Sequence, residues 1–319
     1  MITYDVNITL ARVVRHAASA QGRDAAIIDI AQDLLLRHLD DVGLLAELAF
    51  KGGTALRKLY AGNEGRFSLD LDFSVSQIGT DSETVLDLLE VEVAGRELGP
   101  FTYGIRHHRG KRHLTVDSPL GSTGPLESKL DVNPPPWLEP VSRTWVPMRI
   151  HEAYGGPLPR ITTVRLEENV AEKIARLNRT TTARDVYDLV WLWRHYRDDG
   201  GLDTDLVRRL AVLKIWVDKH GVRAEGAHWK PGHDSNGFDP EAWLRLRPAE
   251  EFDQEDIGQL SVPAPDLDEL AGALVDGYGF LRDLDPDERT VACISAADRG
   301  LVLRMLAVLP GGRLAGSTY

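Results

Sequence analysis

Apolar residues along the chain recur at two kinds of spacing. Over residues 25–39, Ile27, Ala31, Leu34 and Leu35 fall at i, i+4, i+7 and i+8, one face of a helix. Residues 44–49 read as a second, short helical stretch that runs into Lys51-Gly52-Gly53-Thr54. The glycine pair breaks that pattern, and Thr54 then reads as the N-cap of a helix through Tyr60. After the turn-forming residues 61–65 the spacing switches to two. Phe67, Leu69, Leu71 and Phe73 lie on one side of an extended segment 66–75, with Ser68, Asp70, Asp72 and Ser74 on the other. Residues 84–98 read as a helix, and 101–107, 112–117 and 126–132 as further strands of the same sheet. Past Pro134-Pro135-Pro136 the character changes. Helices are expected over Leu166–Leu177, Ala183–Tyr196 and residues 205–220, 266–281 and 295–309, with 221–262 irregular. The pattern predicts an α+β domain over residues 1–158 and a mainly helical domain over 159–319.

Composition narrows this little. The 319 residues, 43% hydrophobic and 27% charged, suffice for one large folded domain or two modest ones. No run approaches the roughly 20 apolar residues of a membrane span, and the first residues lack the pattern of a secretory signal. Cys293 is the only cysteine, which excludes an internal disulfide and a multi-cysteine zinc site. A cytoplasmic protein is expected. The net charge is −12, but residues 241–290 hold 14 acids against four bases, leaving the rest of the chain at −2. Net charge therefore does not argue against a nucleic-acid partner. The run Arg106-His107-His108-Arg109, then Lys111-Arg112-His113, is either a hairpin that touches an RNA backbone or a solvated charged hairpin. No readout of DNA is expected.

The carboxylates bring in candidate chemistry. Asp70 and Asp72 lie two residues apart, so both project from one strand face. Such a pair is either a solvated acidic face or the bridge of two divalent cations, which sit roughly 3.5–4 Å apart in two-metal sites. Mg²⁺ prefers these oxygen ligands and completes its shell with phosphates. Gly52 and Gly53, with the Thr54 hydroxyl, form either a plain helix start or a phosphate cradle. Lys129 and Asp131 share a face of a later strand, as a surface pair or as the source of a third carboxylate. Ser68 shares the face of Asp70. It either bonds locally or touches the phosphate site, where its phosphorylation would add negative charge and silence the site. In the helical part, Asn169, Lys173 and Arg176 form a polar row beside Val170, Ile174 and Leu177. Asp185 either orients Lys173 or Arg184 toward phosphate, or caps its own helix while Asp188 pairs with Arg184.

Lys51-Gly52-Gly53-Thr54-Ala55-Leu56-Arg57-Lys58 and Arg66-Phe67-Ser68-Leu69-Asp70-Leu71-Asp72-Phe73 together resemble the AbiEii/AbiGii (MenT-like) nucleotidyltransferase toxins. Lys129-Leu130-Asp131-Val132 is similar to the next motif of that family, and Glu168 through Lys173 with Arg184-Asp185-Val186-Tyr187-Asp188-Leu189 to its helical motifs. The four motifs occur in order across residues 20–195. The resemblance implies a DNA-polymerase-β-like nucleotidyltransferase core and Mg²⁺-dependent transfer from a nucleoside triphosphate. It gives Asp70, Asp72 and Asp131 to metal binding and, with Lys173 and Asp185 (or Asp188), to catalysis. Gly52, Gly53, Thr54, Ser68, Lys173 and Arg184 are the expected nucleotide contacts. Studied relatives are toxins of toxin–antitoxin or abortive-infection systems, and some add nucleotides to the tRNA acceptor end, blocking translation. The expectation is thus an RNA acceptor, the tRNA 3′ end, a cognate antitoxin, and no membrane partner. Alternatives are transfer to a small molecule or protein side chain, and a non-catalytic module whose acidic C-terminal region docks a partner.

Overall fold

The computed structural model describes residues 4–19, 21–121, 124–198, 201–224, 227–229, 235–248, 251 and 257–314. The chain divides into two compact units, one of Met1–Pro135, Pro140–Thr163 and Gly258–Ala264, the other of Pro136–Glu139, Val164–Ile257 and Pro265–Tyr319.

The first unit is built on a mixed sheet of strands β1 (Leu48–Lys51), β2 (Leu71–Val75), β3 (Glu97–Leu98), β4 (Phe101–His108), β5 (Lys111–Asp117), β6 (Leu126–Asn133), β7 (Val141–Arg143) and β8 (Ile161–Thr163). Their spatial order is β3-β4-β5-β6-β2-β1-β8-β7. Helices α1 (Leu10–Ala17), α2 (Arg23–Asp41), α3 (Gly52–Leu56) and α4 (Ser82–Val93) belong to the same unit. At the centre β2 runs parallel to β6 and antiparallel to β1. Leu48, Ala49, Phe50, Leu71, Phe73 and Val75 are buried there, with Phe50 opposite Phe73 and their ring centroids 5.3 Å apart.

Three expectations for this unit are corrected. Residues 44–49 are a 3-10 turn at Leu44–Glu47 followed by β1, because a short apolar run carries no period that separates a helix from a buried strand. The extended segment pairs as a strand only from Leu71, and Leu69 is 45% exposed while Ser68 is buried. Residues before it find other partners: the Phe67 N–H donates to the Gln259 carbonyl at 2.8 Å, and Gln32 Nε2 to the Leu69 carbonyl at 3.0 Å. The helix expected over 84–98 ends at Val93, and Gly95, at φ +72°, precedes the short strand β3.

The second unit is mainly helical: α5 (Leu166–Leu177), α6 (Ala183–Tyr196), α7 (Thr204–His220), α8 (Pro240–Trp243), α9 (Leu267–Gly277), α10 (Pro286–Ala292) and α11 (Arg299–Ala307), with a hairpin of β9 (Val222–Ala224) and β10 (Ala227–Trp229). α5 packs along α7, α6 against α9, and α7 against α10. Helix α9 is shorter than the spacing suggests, α11 begins at Arg299, and α10 lies where no helix was expected. Acids of residues 241–290 start or tie some of these helices. Asp266 caps α9 and Asp285 caps α10, the latter in a reciprocal box with Glu288. Buried Glu288 also accepts from Arg208 Nε at 2.8 Å. Asp266, Asp285 and Glu288 thus serve the unit's own helices.

Candidate active site

Register puts the candidate carboxylates in one row. On β2, Asp72 stands opposite Lys51 of β1 on one side and opposite Asp131 of β6 on the other. Neighbouring strands lie about 4.8 Å apart, and register partners project from the same face. Asp70 immediately precedes β2. The Asp72 carboxyl is pushed above its ordinary pKa by burial, with Asp70 and Asp131 adding to the shift and Lys51 and Lys129 opposing it. Lys129 Nζ pairs with Asp131 Oδ2. The result is a carboxylate cluster partly neutralised by two lysines.

The glycine turn is shaped around this cluster. Gly52 has φ +78°, and a Cβ there would sit 2.7 Å from Asp72 Oδ2. A Cβ at Gly53 would overlap the Arg66 guanidinium and lie 3.0 Å from Ser68 Oγ. The glycines therefore allow a carboxylate and a guanidinium to approach the backbone. Lys51, not Thr54, occupies the N-cap of the helix that starts at Gly52. The buried Thr54 hydroxyl instead donates to the carbonyls of Asp70 and Ser68, tying α3 to the approach of β2. Ser68 is 7% exposed, so a modifying enzyme would need residues 66–70 to move before reaching its hydroxyl.

Among the described residues no group of three His, Cys, Asp or Glu side chains is already gathered as a metal site. The donor chemistry still fits a hard cation. Asp70, Asp72 and Asp131 offer only carboxylate oxygen, and a divalent ion would offset the burial and the like-charge repulsion that together raise Asp72.

A buried ionic network, absent from the sequence reading, supports the turn. Helix α3 continues into a π turn, Arg57–Ala61, from which Arg57 and Lys58 point into the core. Asp29 of α2 accepts from His16 Nε2 at 2.8 Å, Arg57 Nε at 3.1 Å and Lys58 Nζ at 2.9 Å. Lys58 also pairs with Asp33, which accepts from the Tyr154 hydroxyl at 2.6 Å. Burial alone would raise the Asp29 pKa; Arg57, Lys58 and His16 outweigh it and hold the carboxyl well below its usual range. Two aspartates at i and i+4 on an otherwise apolar helix face were the available signal.

In the second unit Lys173 is buried and donates to Asp185 Oδ1 at 2.9 Å and to Asp188 Oδ2 at 2.7 Å. Both carboxylates hold the lysine. Asp185 also accepts from the Thr182 hydroxyl at 2.7 Å and meets Arg176 at 3.3 Å. Burial would raise Asp185; Lys173 and Arg176 overcome it and lower its pKa. Arg184 is partly buried in the first turn of α6. Glu168 serves structure: its carboxylate accepts the backbone N–H groups of Trp137 and Leu138, both at 3.0 Å.

The basic hairpin is less positive than its sequence. Arg106 pairs with Glu127 at 2.7 Å, His107 with Glu90 at 2.8 Å, and Arg112 with Glu83, Asp87 and Glu90. The exposed basic tip is reduced to His108, Arg109 and Lys111.

No helix among the described residues is long and apolar enough to cross a membrane. No curated protein matches the chain. Among solved structures, MenT4, a nucleotidyltransferase toxin from Mycobacterium tuberculosis H37Rv, is 34% identical with a TM-score of 0.79, over 95% of this chain and 99% of its own. The profile described as "Nucleotidyl transferase AbiEii toxin, Type IV TA system" matches residues 33–276, most of both units. The chain belongs to the AbiEii family of nucleotidyltransferase toxins of type IV toxin–antitoxin systems.

Proposed function

We propose that this nucleotidyltransferase transfers a nucleoside monophosphate from a triphosphate to the 3′ end of tRNA in a Mg²⁺-dependent reaction, and so blocks translation until its antitoxin intervenes. The observation that carries the chemistry is the register of Asp72 beside Asp131 on parallel strands, with Gly52 against the Asp72 carboxylate. Asp70, Asp72 and Asp131 would hold the metal ions, which when bound supply charge neutralisation at the reacting phosphate. The Gly52-Gly53 backbone lets the Asp72 carboxylate and the Arg66 guanidinium approach the turn, and Thr54 contributes by fixing Asp70 rather than by touching the nucleotide. Asp131 takes the proton of the acceptor hydroxyl. The new bond joins that oxygen to the α-phosphorus, the α–β bridge breaks, and pyrophosphate leaves. Lys173, oriented by Asp185 and Asp188, keeps the phosphate-contacting role implied by the resemblance, as does Arg184.

Purified protein with each α-labelled nucleoside triphosphate and total tRNA tests this reading. Label in tRNA with Mg²⁺, and none with EDTA, is expected. Label on a protein or a small molecule, with tRNA unlabelled, would keep the transfer chemistry and overturn the acceptor.

A further inference from the structure

Within the second unit, the end of α5 and the start of α6 border a cleft of about 420 Å³ whose far wall is α8 and the residues after it. Three arginines line it: Arg179, Arg245 and Arg247. Two have carboxylate partners. Arg179 pairs with Asp218, and Arg245 makes a two-pronged pair with Glu251 at 2.7 and 3.0 Å. Arg247 differs. It is 4% exposed, yet its Nε and Nη1 find no hydrogen-bond partner among the described residues. Its guanidinium carbon stands 5.2 Å from the centroid of the Trp243 ring, which is itself fixed by an indole N–H donated to the Ile174 carbonyl at 3.1 Å. Burial and neighbouring Arg245 both push the Arg247 pKa down from its ordinary value, with Glu251 opposing.

A buried guanidinium stays charged, and leaving its donors unmade is costly. Such a group calls for a partner that the described residues do not supply. The described carboxylates of the cleft, Glu251 and Asp239, do not fill that place. Glu251 is engaged by Arg245 and by the Thr181 hydroxyl at 3.1 Å, and Asp239 caps α8 through the N–H groups of Glu241 and Ala242. The planar fork of arginine matches tetrahedral oxyanions, and the cleft also opens on the Thr180-Thr181 approach to the positive end of α6, a 14-residue helix. We propose that this cleft is a phosphate-binding site, with Arg247 as its buried anchor and Arg245 released in part from Glu251 to share the anion. The phosphate comes from the backbone of a ribonucleotide chain or from a free nucleotide or inorganic phosphate. This assignment concerns the second unit alone and stands whichever acceptor the enzyme uses.

The test compares wild type with Arg247→Met, which keeps side-chain bulk and removes the charge. Thermal unfolding is followed in inorganic phosphate and in sodium chloride of equal ionic strength. Wild type is expected to unfold at a higher midpoint in phosphate than in chloride, and Arg247→Met to lose that increment. Arg247→Met should also keep or raise the midpoint in chloride, since it removes an uncompensated buried charge. A single-stranded RNA 12-mer then separates the sources. Loss of roughly 0.7 from the slope of log K against log salt in Arg247→Met marks a backbone phosphate; an unchanged slope, with phosphate stabilisation lost, marks a free phosphate ligand. No phosphate increment in wild type, or an equal increment in both proteins, overturns the proposal. Arg247→Lys guards against misfolding: it retains charge but not the fork, and should retain only part of the increment.

Discussion

At the scale of single residues, the site depends on what two glycines leave out. Gly52 combines a φ of +78° with a carboxylate oxygen where its Cβ would be. Gly52→Ala is therefore expected to cost about 1–2 kcal/mol in backbone strain and to push Asp72 from its place, lowering transfer far more than stability. Urea unfolding beside a transfer assay checks this; a variant with full activity would separate the turn from the chemistry. The D-x-D pair, the glycine pair and the later Lys129-Asp131 were legible in the chain as candidates. The position of Lys51 opposite Asp72 was not, because register between strands is a long-range property that local spacing does not encode. Nor was the use of the Thr54 hydroxyl, since a threonine after two glycines fits an N-cap equally well and its acceptors, the Ser68 and Asp70 carbonyls, are brought to it only by the fold.

At the scale of elements, α3 and its π turn are held from beneath by charges that a hydrophobicity pattern treats as errors. Lys58 is fully buried between Asp29 and Asp33, so Lys58→Met leaves two carboxylates short of a partner. A loss of about 3–5 kcal/mol is expected, read as a lower urea midpoint. A change below about 1 kcal/mol would mean the network does not hold the turn. The same network sets a pH dependence. Asp29 and Asp185 both have folded pKa values lowered by their cationic partners, so each contributes stability above the unfolded carboxylate pKa of about 3.9. That contribution is lost as pH falls below about 4 toward the folded values. Asp72 has the opposite sign: its raised pKa means that ionising it opposes folding as pH rises through the unfolded value. Urea midpoints should therefore fall steeply below about pH 4, and Mg²⁺ at pH 7 should raise the midpoint of wild type more than that of Asp72→Asn. Equal Mg²⁺ stabilisation of both proteins would place the cation elsewhere. The helices of the second unit followed from 3.6-residue spacing where apolar stripes are long, as in α5 and α6. The spacing failed at α10, seven residues whose start is written in capping acids rather than in an apolar stripe.

At the scale of the whole molecule, composition was a poor guide to partners and charge distribution a better one. The chain concentrates its acids in residues 241–290, and many of those described are consumed by caps and internal ion pairs. The basic run of the β4–β5 hairpin is likewise largely neutralised by Glu83, Asp87, Glu90 and Glu127. Sequence alone exposes such runs but not the elements that pack beside them. If the hairpin tip contacts an RNA acceptor, Arg109→Ala with Lys111→Ala should raise the KM for tRNA several-fold and leave kcat and triphosphate KM unchanged. An unchanged tRNA KM would move RNA contact away from this tip.

The assignment of the chemistry to carboxylates aligned across β2 and β6 rests on their register. Its most direct test is transfer of α-labelled nucleotide to tRNA by Asp72→Asn and Asp131→Asn, with circular dichroism and urea unfolding on the same preparations. Both variants are predicted to keep the wild-type spectrum and to lose transfer by at least about 100-fold, the scale on which removing a charge-stabilising group acts. Wild-type transfer by either folded variant would take the chemistry away from that carboxylate.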